Sequence, residues 1–293
     1  MFKKIIFITI ILFLVSSFIF LNKRSYSIIT SNSFINSQDF NLLLLGKPGP
    51  GYIGSENTDT ILIISYKSKS NTFYLIPIPR DLIVKNKKGE LEKINAFYGE
   101  KDIDFLLQKL REFSGLEIKN YFAVNLKFVL DLVDFLGGVE ITLDEPVIDP
   151  ITLYTIPAGK QKLNGYLIEL VLRSRYNKEG DFFRQKNQIH FLIALKDKFL
   201  NLSEKEKLDL IKFLNNKKQF YQTNLSTKDI LFLTMKLRSL KNAKIVPIIL
   251  NKTNLLTSGY FKIYNTENVY GIYPKDGIDK YDKIRLFLKT QIK

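Results

Sequence analysis

The 293-residue chain contains no cysteine, a single histidine and two methionines, and its 29 acidic residues fall well short of its 44 basic ones. Without cysteine there are no disulfides, no thiol nucleophiles and no thiolate metal sites, and the redox compartment is left open. The lone histidine, His190, falls on the apolar continuation of a helical pattern, where a packed or surface position outweighs a catalytic one. A metalloprotease HExxH, or a Ser-His-Asp triad built on any other histidine, is therefore excluded, and no GxSxG or SxxK motif occurs. The acid deficit leaves a formal net charge of +15. Such an excess favours polyanionic partners: nucleic acid, anionic lipid or phosphorylated substrates. With 45% hydrophobic residues the chain is long enough to bury a substantial core.

Met1-Phe2-Lys3-Lys4 precedes an unbroken apolar run from Ile5 to Leu21, followed by Asn22-Lys23-Arg24. About 17 apolar residues is the lower limit for crossing a bilayer and exceeds the usual signal-peptide core. No small-x-small cleavage site follows, so the expectation is an uncleaved signal anchor over 5–21, with a cleaved signal peptide as the alternative. Residues 1–4 would then be cytoplasmic, 22–38 a Ser/Asn-rich linker, and the remainder extracytoplasmic. Two further segments are expected: a core over 39–205 and a C-terminal extension over 206–293 packed on the same domain.

Phe40 to Leu45 reads as a strand, followed by the glycine–proline loop 46–51, which lacks the closing Gly-Lys-Ser/Thr of a phosphate-binding P-loop. Ile61 to Tyr66 and Thr72 to Ile78 flank a polar turn and predict a β-hairpin, with Asp59 at the mouth of one strand and Pro79-Arg80-Asp81 at the end of the other. Periodic apolar residues predict helices over 103–113 and 126–135, the second stopped by Gly137-Gly138. Val139 to Ile141 reads as a short strand and 144–164 as a long proline-bearing loop. Further on, a polar helix past Leu200, an N-cap at 224–227 before a helix over 228–240, a strand over 244–250 and a last helix over 280–288 are expected. Helices and strands intermix throughout, which predicts an α/β or α+β fold around one mixed sheet flanked by helices.

The densest chemistry lies in Gly165 to Leu195. An apolar segment ends in Arg173-Ser174-Arg175; after a polar turn, Asp181 opens a helix. Asp181, Arg184 and Gln188 are spaced three and then four apart, which puts them on one helical face. Guanidinium forks match phosphate oxygens and stay charged at physiological pH, and a helix N-terminus adds N–H donors. A surface ion-pair network, Asp181 with Arg184 or Arg175, accounts for the same residues equally well.

Taken together, Asp59-Thr60, Ile78-Pro79-Arg80-Asp81, Lys93-Ile94-Asn95-Ala96 and the Arg173-Ser174-Arg175…Asp181-x-x-Arg184…Gln188 block occur in an order that resembles the LytR–CpsA–Psr family. Leu132-Val133-Asp134-Phe135-Leu136-Gly137-Gly138-Val139 and Ala158-Gly159-x-x-Leu163-x-Gly165 look like its intervening signatures. The resemblance is good over about 40–199 and looser beyond. It implies a single α/β domain with an apolar slot for a lipid chain, on the outer face of a bacterial membrane. It also implies an activity: transfer of a phosphorylated glycopolymer from a polyprenyl-pyrophosphate carrier to peptidoglycan, with Mg²⁺.

Under that resemblance Arg80, Lys93, Arg173, Arg175 and Arg184 supply cations for the pyrophosphate, and Gln188 a hydrogen bond. Asp59 holds Mg²⁺, and Asp181 orients an arginine or the acceptor hydroxyl. Asp81 is expected to be structural, paired with an arginine. Two departures stand out. Glu56 is the only acid in the first loop available as a second metal ligand, and Asn187 stands where the family commonly has arginine. Other readings are a non-catalytic module that binds lipid-linked glycan, a lipid-pyrophosphate hydrolase, and a nucleic-acid binder. The anchor and the lack of any nucleic-acid motif argue against the last.

Overall fold

The computed structural model describes residues 39–52, 54–100, 102–226, 229 and 242–293. The predicted anchor over 5–21, the linker 22–38 and the body of the helix over 228–240 lie outside the described residues. Among those described, no helix is long and apolar enough to cross a membrane. The chain divides into two compact units: residues 41–65, 74–125 and 247–293 form one, and residues 66–73 and 126–246, with Asp39 and Phe40, the other.

The first unit is organised on strands. β1 (Phe40–Lys47), β2 (Thr60–Lys67), β3 (Thr72–Pro77) and, later in the chain, β6 (Asn120–Asn125) are sheet neighbours in the order β6-β1-β2-β3. β1 and β6 pair in parallel, Leu42 opposite Asn120 through Lys47 opposite Asn125. The connection from β2 to β3 is so short that it can only join antiparallel neighbours, so the sheet is mixed, as expected. Leu43, Leu45, Ile63, Ile64 and Ile76 are fully enclosed. Strands buried on both faces read as continuous apolar runs, which is how β1 and β2 read.

Between β3 and β6 come the short hairpin β4 (Ile83–Lys85) and β5 (Leu91–Lys93), then α1 (Ala96–Gly99) and α2 (Ile103–Ser114). Asp102 caps α2 by accepting the Phe105 N–H, and Gly115 closes it in the left-handed conformation. The hairpin β13 (Leu256–Ile263) and β14 (Thr266–Pro274) and the last helix, which becomes α7 below, belong to this unit too. β13–β14 was not anticipated, since its strands alternate polar and aromatic residues with little aliphatic content. It is fastened to the loop after β3: the Ile272 N–H donates to the Asp81 carbonyl at 2.9 Å, and Leu82 bridges Ile272 in parallel.

The second unit is mostly helical. α3 (Leu126–Phe135) stops at Gly137 and Gly138, both with positive φ. β7 (Val139–Leu143) follows, and the predicted 144–164 loop is not a loop. It holds β8 (Val147–Ile148), β9 (Thr155–Ile156) and β10 (Gly159–Leu163), with β8 paired to β9 and β10 to β7. Exposed Lys160 and Lys162 on β10 remove the apolar signal that would have marked it. α4 (Gly165–Arg173), α5 (Asp181–Leu200) and α6 (Glu204–Asn216) complete the unit, with short β11 (Tyr221–Thr223) and β12 (Lys244–Pro247), the latter shorter than expected because Pro247 ends it. Ser226 and Asp229 exchange the reciprocal bonds of an N-cap, as the sequence predicts. α7 (Asp282–Gln291) begins two residues later than predicted and runs three further.

Gly165 explains one of the signatures. Its N–H donates to Asp134 Oδ1 at 2.7 Å, and a Cβ there would lie 2.7 Å from both Asp134 Oδ2 and the Leu130 carbonyl oxygen of α3. Only glycine lets α4 start this close to α3. Gly165→Ala should therefore cost about 1–3 kcal/mol by overpacking, readable as a lowered urea midpoint with an unchanged slope.

Candidate active site

In the strand-rich unit the structure gathers three of the singled-out segments. Asp59 is fixed at the mouth of β2 by its N–H to the Gly46 carbonyl at 2.7 Å. Next to it, buried Thr58 donates both its N–H (3.0 Å) and its hydroxyl (3.3 Å) to the Asn95 carbonyl, which ties the Lys93-Ile94-Asn95-Ala96 segment to this corner. The Pro79–Leu82 turn is closed by the Leu82 N–H to the Pro79 carbonyl at 3.0 Å. This turn directs Arg80 back onto Asp59, and Arg80 Nη1 donates to Asp59 Oδ1. Asp81 accepts from Lys93 Nζ at 2.7 Å and lies 3.9 Å from Arg80 Nε. Asp81 thus organises two cations, mainly a lysine rather than the expected arginine. All four side chains are partly exposed, between 13% and 27%. They remain accessible to a substrate while losing part of their solvent screening.

Glu56, the other acid of the first loop, is paired with Lys47 at 2.7 Å. Lys47 also lies over the Tyr98 ring, whose phenol is pushed up to about 12, first by burial and then by Tyr121 and Glu56. Asp59 offers one hard oxygen ligand, and among the described residues no three acids or histidines gather around a common point. This donor set fits Mg²⁺ in the form that takes one or two carboxylates and completes its shell with phosphate oxygens and water. It does not fit an all-protein cage.

In the helical unit, α4 ends at Arg173 and Ser174 is extended, so the chain turns sharply before α5. Asp181, in the first turn of α5, is ion-paired with Arg184 Nη2 at 2.8 Å, accepts from Gln185 Nε2 at 3.0 Å, and lies 3.4 Å from Arg175 Nε. Both ion pairs of the structural reading are therefore present, and only one is interior: the Arg184 side chain is 3% exposed, that of Arg175 36%. Asp181 takes the first of its two expected roles, orienting arginines. Gln188 is buried on the same face and donates to the Leu172 carbonyl at 3.3 Å. Arg173 differs from the other two: its side chain is 47% exposed, held by Glu169 at 2.9 Å one helical turn earlier. Gln185 and Glu169, both direct partners of site residues, were not anticipated. Their i, i+4 spacing to Asp181 and Arg173 is the signal that could have found them. Asn187 is 2% exposed, so the position where the family commonly has arginine lies in the interior here.

His190 is half-buried, with Nε2 3.4 Å from Asp144. Burial holds its pKa below the usual value, against the pull of Asp144. A depressed folded pKa means that its contribution to stability is full above the ordinary histidine range, near 6.5, and is lost as pH falls below it. Denaturation midpoints should thus fall between pH 7.5 and 5, and less so in His190→Asn.

The LytR_cpsA_psr family model matches residues 21–272. The chain is 32% identical over 145 residues to the probable cell wall biosynthesis protein LcpB of Corynebacterium glutamicum, covering 50% of this chain and 35% of that protein. It is 30% identical over 199 residues to the polyisoprenyl-teichoic acid–peptidoglycan teichoic acid transferase TagU of Bacillus subtilis, covering 66% of this chain and 62% of that one. It thus spans about a third of the first relative and three fifths of the second. The crystal structure of B. subtilis TagV superposes with a TM-score of 0.67 at 23% identity, over 87% of this chain and 98% of that one, which shows a shared fold. The chain belongs to the LytR–CpsA–Psr family.

Proposed function

We propose that the chain is a membrane-anchored, extracytoplasmic phosphotransferase. It would move a glycopolymer from a polyprenyl-pyrophosphate carrier to peptidoglycan, with Mg²⁺ as cofactor. The observation that carries this reading is the pattern of pre-oriented cations. Arg80 and Lys93 are held by Asp59 and Asp81, and Arg175 and Arg184 by Asp181, each arginine fixed by carboxylates rather than left to roam. Such an arrangement suits phosphoryl transfer, where catalysis is mostly positioning and neutralisation of charge. The relatives named for teichoic acid transfer to peptidoglycan support the same class of donor and acceptor.

In the reaction a peptidoglycan hydroxyl attacks the sugar-proximal phosphorus of the carrier. A new O–P bond forms, the bridging P–O bond breaks, and polyprenyl phosphate leaves with that bond's electron pair. The hydroxyl proton passes to solvent or to the departing phosphate. Arg80 and Arg175 would neutralise the diphosphate oxygens, Lys93 and Arg173 would orient it, and the buried Arg184 and Gln188 would act through Asp181 and the Leu172 carbonyl to hold the arginine turn. Mg²⁺, held by Asp59 and phosphate oxygens, would supply further charge neutralisation.

The test incubates the purified full chain with a polyprenyl-pyrophosphate glycan and peptidoglycan, with and without Mg²⁺. The expected products are glycan on peptidoglycan and free polyprenyl phosphate, both lost with the metal. Free glycan phosphate would instead identify a hydrolase, and donor binding with no release of polyprenyl phosphate a binding module.

A further inference from the structure

The β8–β9 hairpin carries an exposed apolar tip that the chemistry above does not use. Its turn, Asp149-Pro150-Ile151-Thr152-Leu153-Tyr154, leaves Ile151 89%, Leu153 71% and Tyr154 51% exposed. Leu153 has φ +58, a left-handed conformation that costs an L side chain energy.

The turn is also self-sufficient in hydrogen bonds. Asp149 Oδ1 accepts the Ile151 N–H at 3.0 Å, and Oδ2 accepts the Thr152 hydroxyl at 2.5 Å. The Thr152 N–H also goes to the Asp149 side chain, the Leu153 N–H to the Asp149 carbonyl at 2.9 Å, and the Tyr154 N–H to Thr152 Oγ1 at 3.3 Å. Pro150 has no N–H to satisfy. The tip thus meets one requirement that hydrocarbon imposes and water does not: every backbone donor from 150 to 154 is spoken for within the turn.

At its base the hairpin is fastened to the arginine turn. Ser174 Oγ donates to the Ile148 carbonyl at 3.5 Å, and Asn177 Nδ2 to Glu145 at 2.8 Å. From Ile148 to Thr152 the chain reaches at most roughly 13 Å, at about 3.3 Å per residue. A side chain seated about 5–10 Å into the headgroup–acyl boundary would then hold the Arg173–Arg175 turn at headgroup depth. A diphosphate whose prenyl chain remains in the bilayer lies at that depth.

We propose that the 149–154 tip inserts into the bilayer surface, so that the hairpin sets the height of the arginine turn above the membrane. The occupant is the lipid boundary itself. Beyond the apolar tip, two sequence features support it: the run Ile5–Leu21, which reads as a bilayer segment, and the 22–38 stretch, which as a linker would tether the folded part of the chain to that bilayer. The inference rests on the proposed lipid-linked donor, but its test does not depend on transfer activity.

Because the chain has no tryptophan, Tyr154→Trp creates a unique fluorophore. The full-length variant is reconstituted in phosphatidylcholine/phosphatidylglycerol vesicles, with and without acyl-brominated lipid. The expected result is blue-shifted emission from position 154, quenched several-fold by bromolipid. Adding Ile151→Asp and Leu153→Asp to Tyr154→Trp should abolish the quenching, with circular dichroism unchanged. Water-like emission at 154, quenching that survives the two aspartate substitutions, or a blue shift that bromolipid does not quench would each overturn the proposal, the last by identifying a protein occupant. Transfer activity without quenching would reject the hairpin's role and leave the proposed function standing, and quenching without transfer would do the reverse.

Discussion

Arg80→Ala should lower glycopolymer transfer by about 10²–10³-fold in kcat, the loss that follows removal of one pre-oriented donor to developing charge. The effect should fall on kcat more than on KM, because the guanidinium is already fixed by Asp59 and Asp81 before substrate arrives, and its benefit grows as the diphosphate bridge breaks. Arg80→Lys should recover only part of the loss, since a lysine keeps the charge but not the planar fork. The fold should tolerate the change: the side chain is 22% exposed, and ion pairs with that much solvent contribute about 0–1 kcal/mol. A variant with normal melting and normal transfer would remove Arg80 from the site, and Arg173→Ala with normal transfer would do the same for Arg173.

The second large effect is on stability. Arg184→Ala should destabilise the protein by about 3–5 kcal/mol, because it strips the closest cation from an enclosed carboxylate. Asp181 would keep only Gln185 and the longer contact to Arg175. The contrast with Arg173→Ala is diagnostic. That side chain is 47% exposed, and its loss should shift stability by at most about 1 kcal/mol. Asp181→Asn combined with Arg184→Met should recover much of the Arg184→Ala loss, since removing both charges leaves neither stranded. Equal small losses for Arg173→Ala and Arg184→Ala in chemical denaturation would show that the interior ion pair carries no structural weight.

The separate behaviour of these two arginines marks where sequence reasoning reached its limit. Spacing alone put Asp181, Arg184 and Gln188 on one face, and the structure agrees. It gave no way to see that this face turns inward, because charged side chains on a helix read as solvated. The β2–β3 hairpin and helices α2, α3 and α5 were legible because each carries an unambiguous period and a clear stop, such as Gly137-Gly138. β6 was not: its apolar core, Phe122 to Val124, runs directly into the α3 pattern, so the two merge into one apolar stretch. β13–β14 escaped notice for the opposite reason, being rich in tyrosine and polar residues. Yet its bond from Ile272 to the Asp81 carbonyl helps to set the turn that presents Arg80. That support lies about 190 residues away in the chain, a separation that no local pattern can signal.

The account depends most on which phosphorus is attacked, and a labelled donor answers that directly. A polyprenyl-pyrophosphate glycan carrying ³²P only in its sugar-proximal phosphate is incubated with the full chain, Mg²⁺ and peptidoglycan, and the label is followed. Transfer of glycan and label to peptidoglycan in equal amounts, with unlabelled polyprenyl phosphate left in the lipid fraction, is the predicted result. Label that stays with the lipid, or glycan that reaches peptidoglycan without it, would contradict the account.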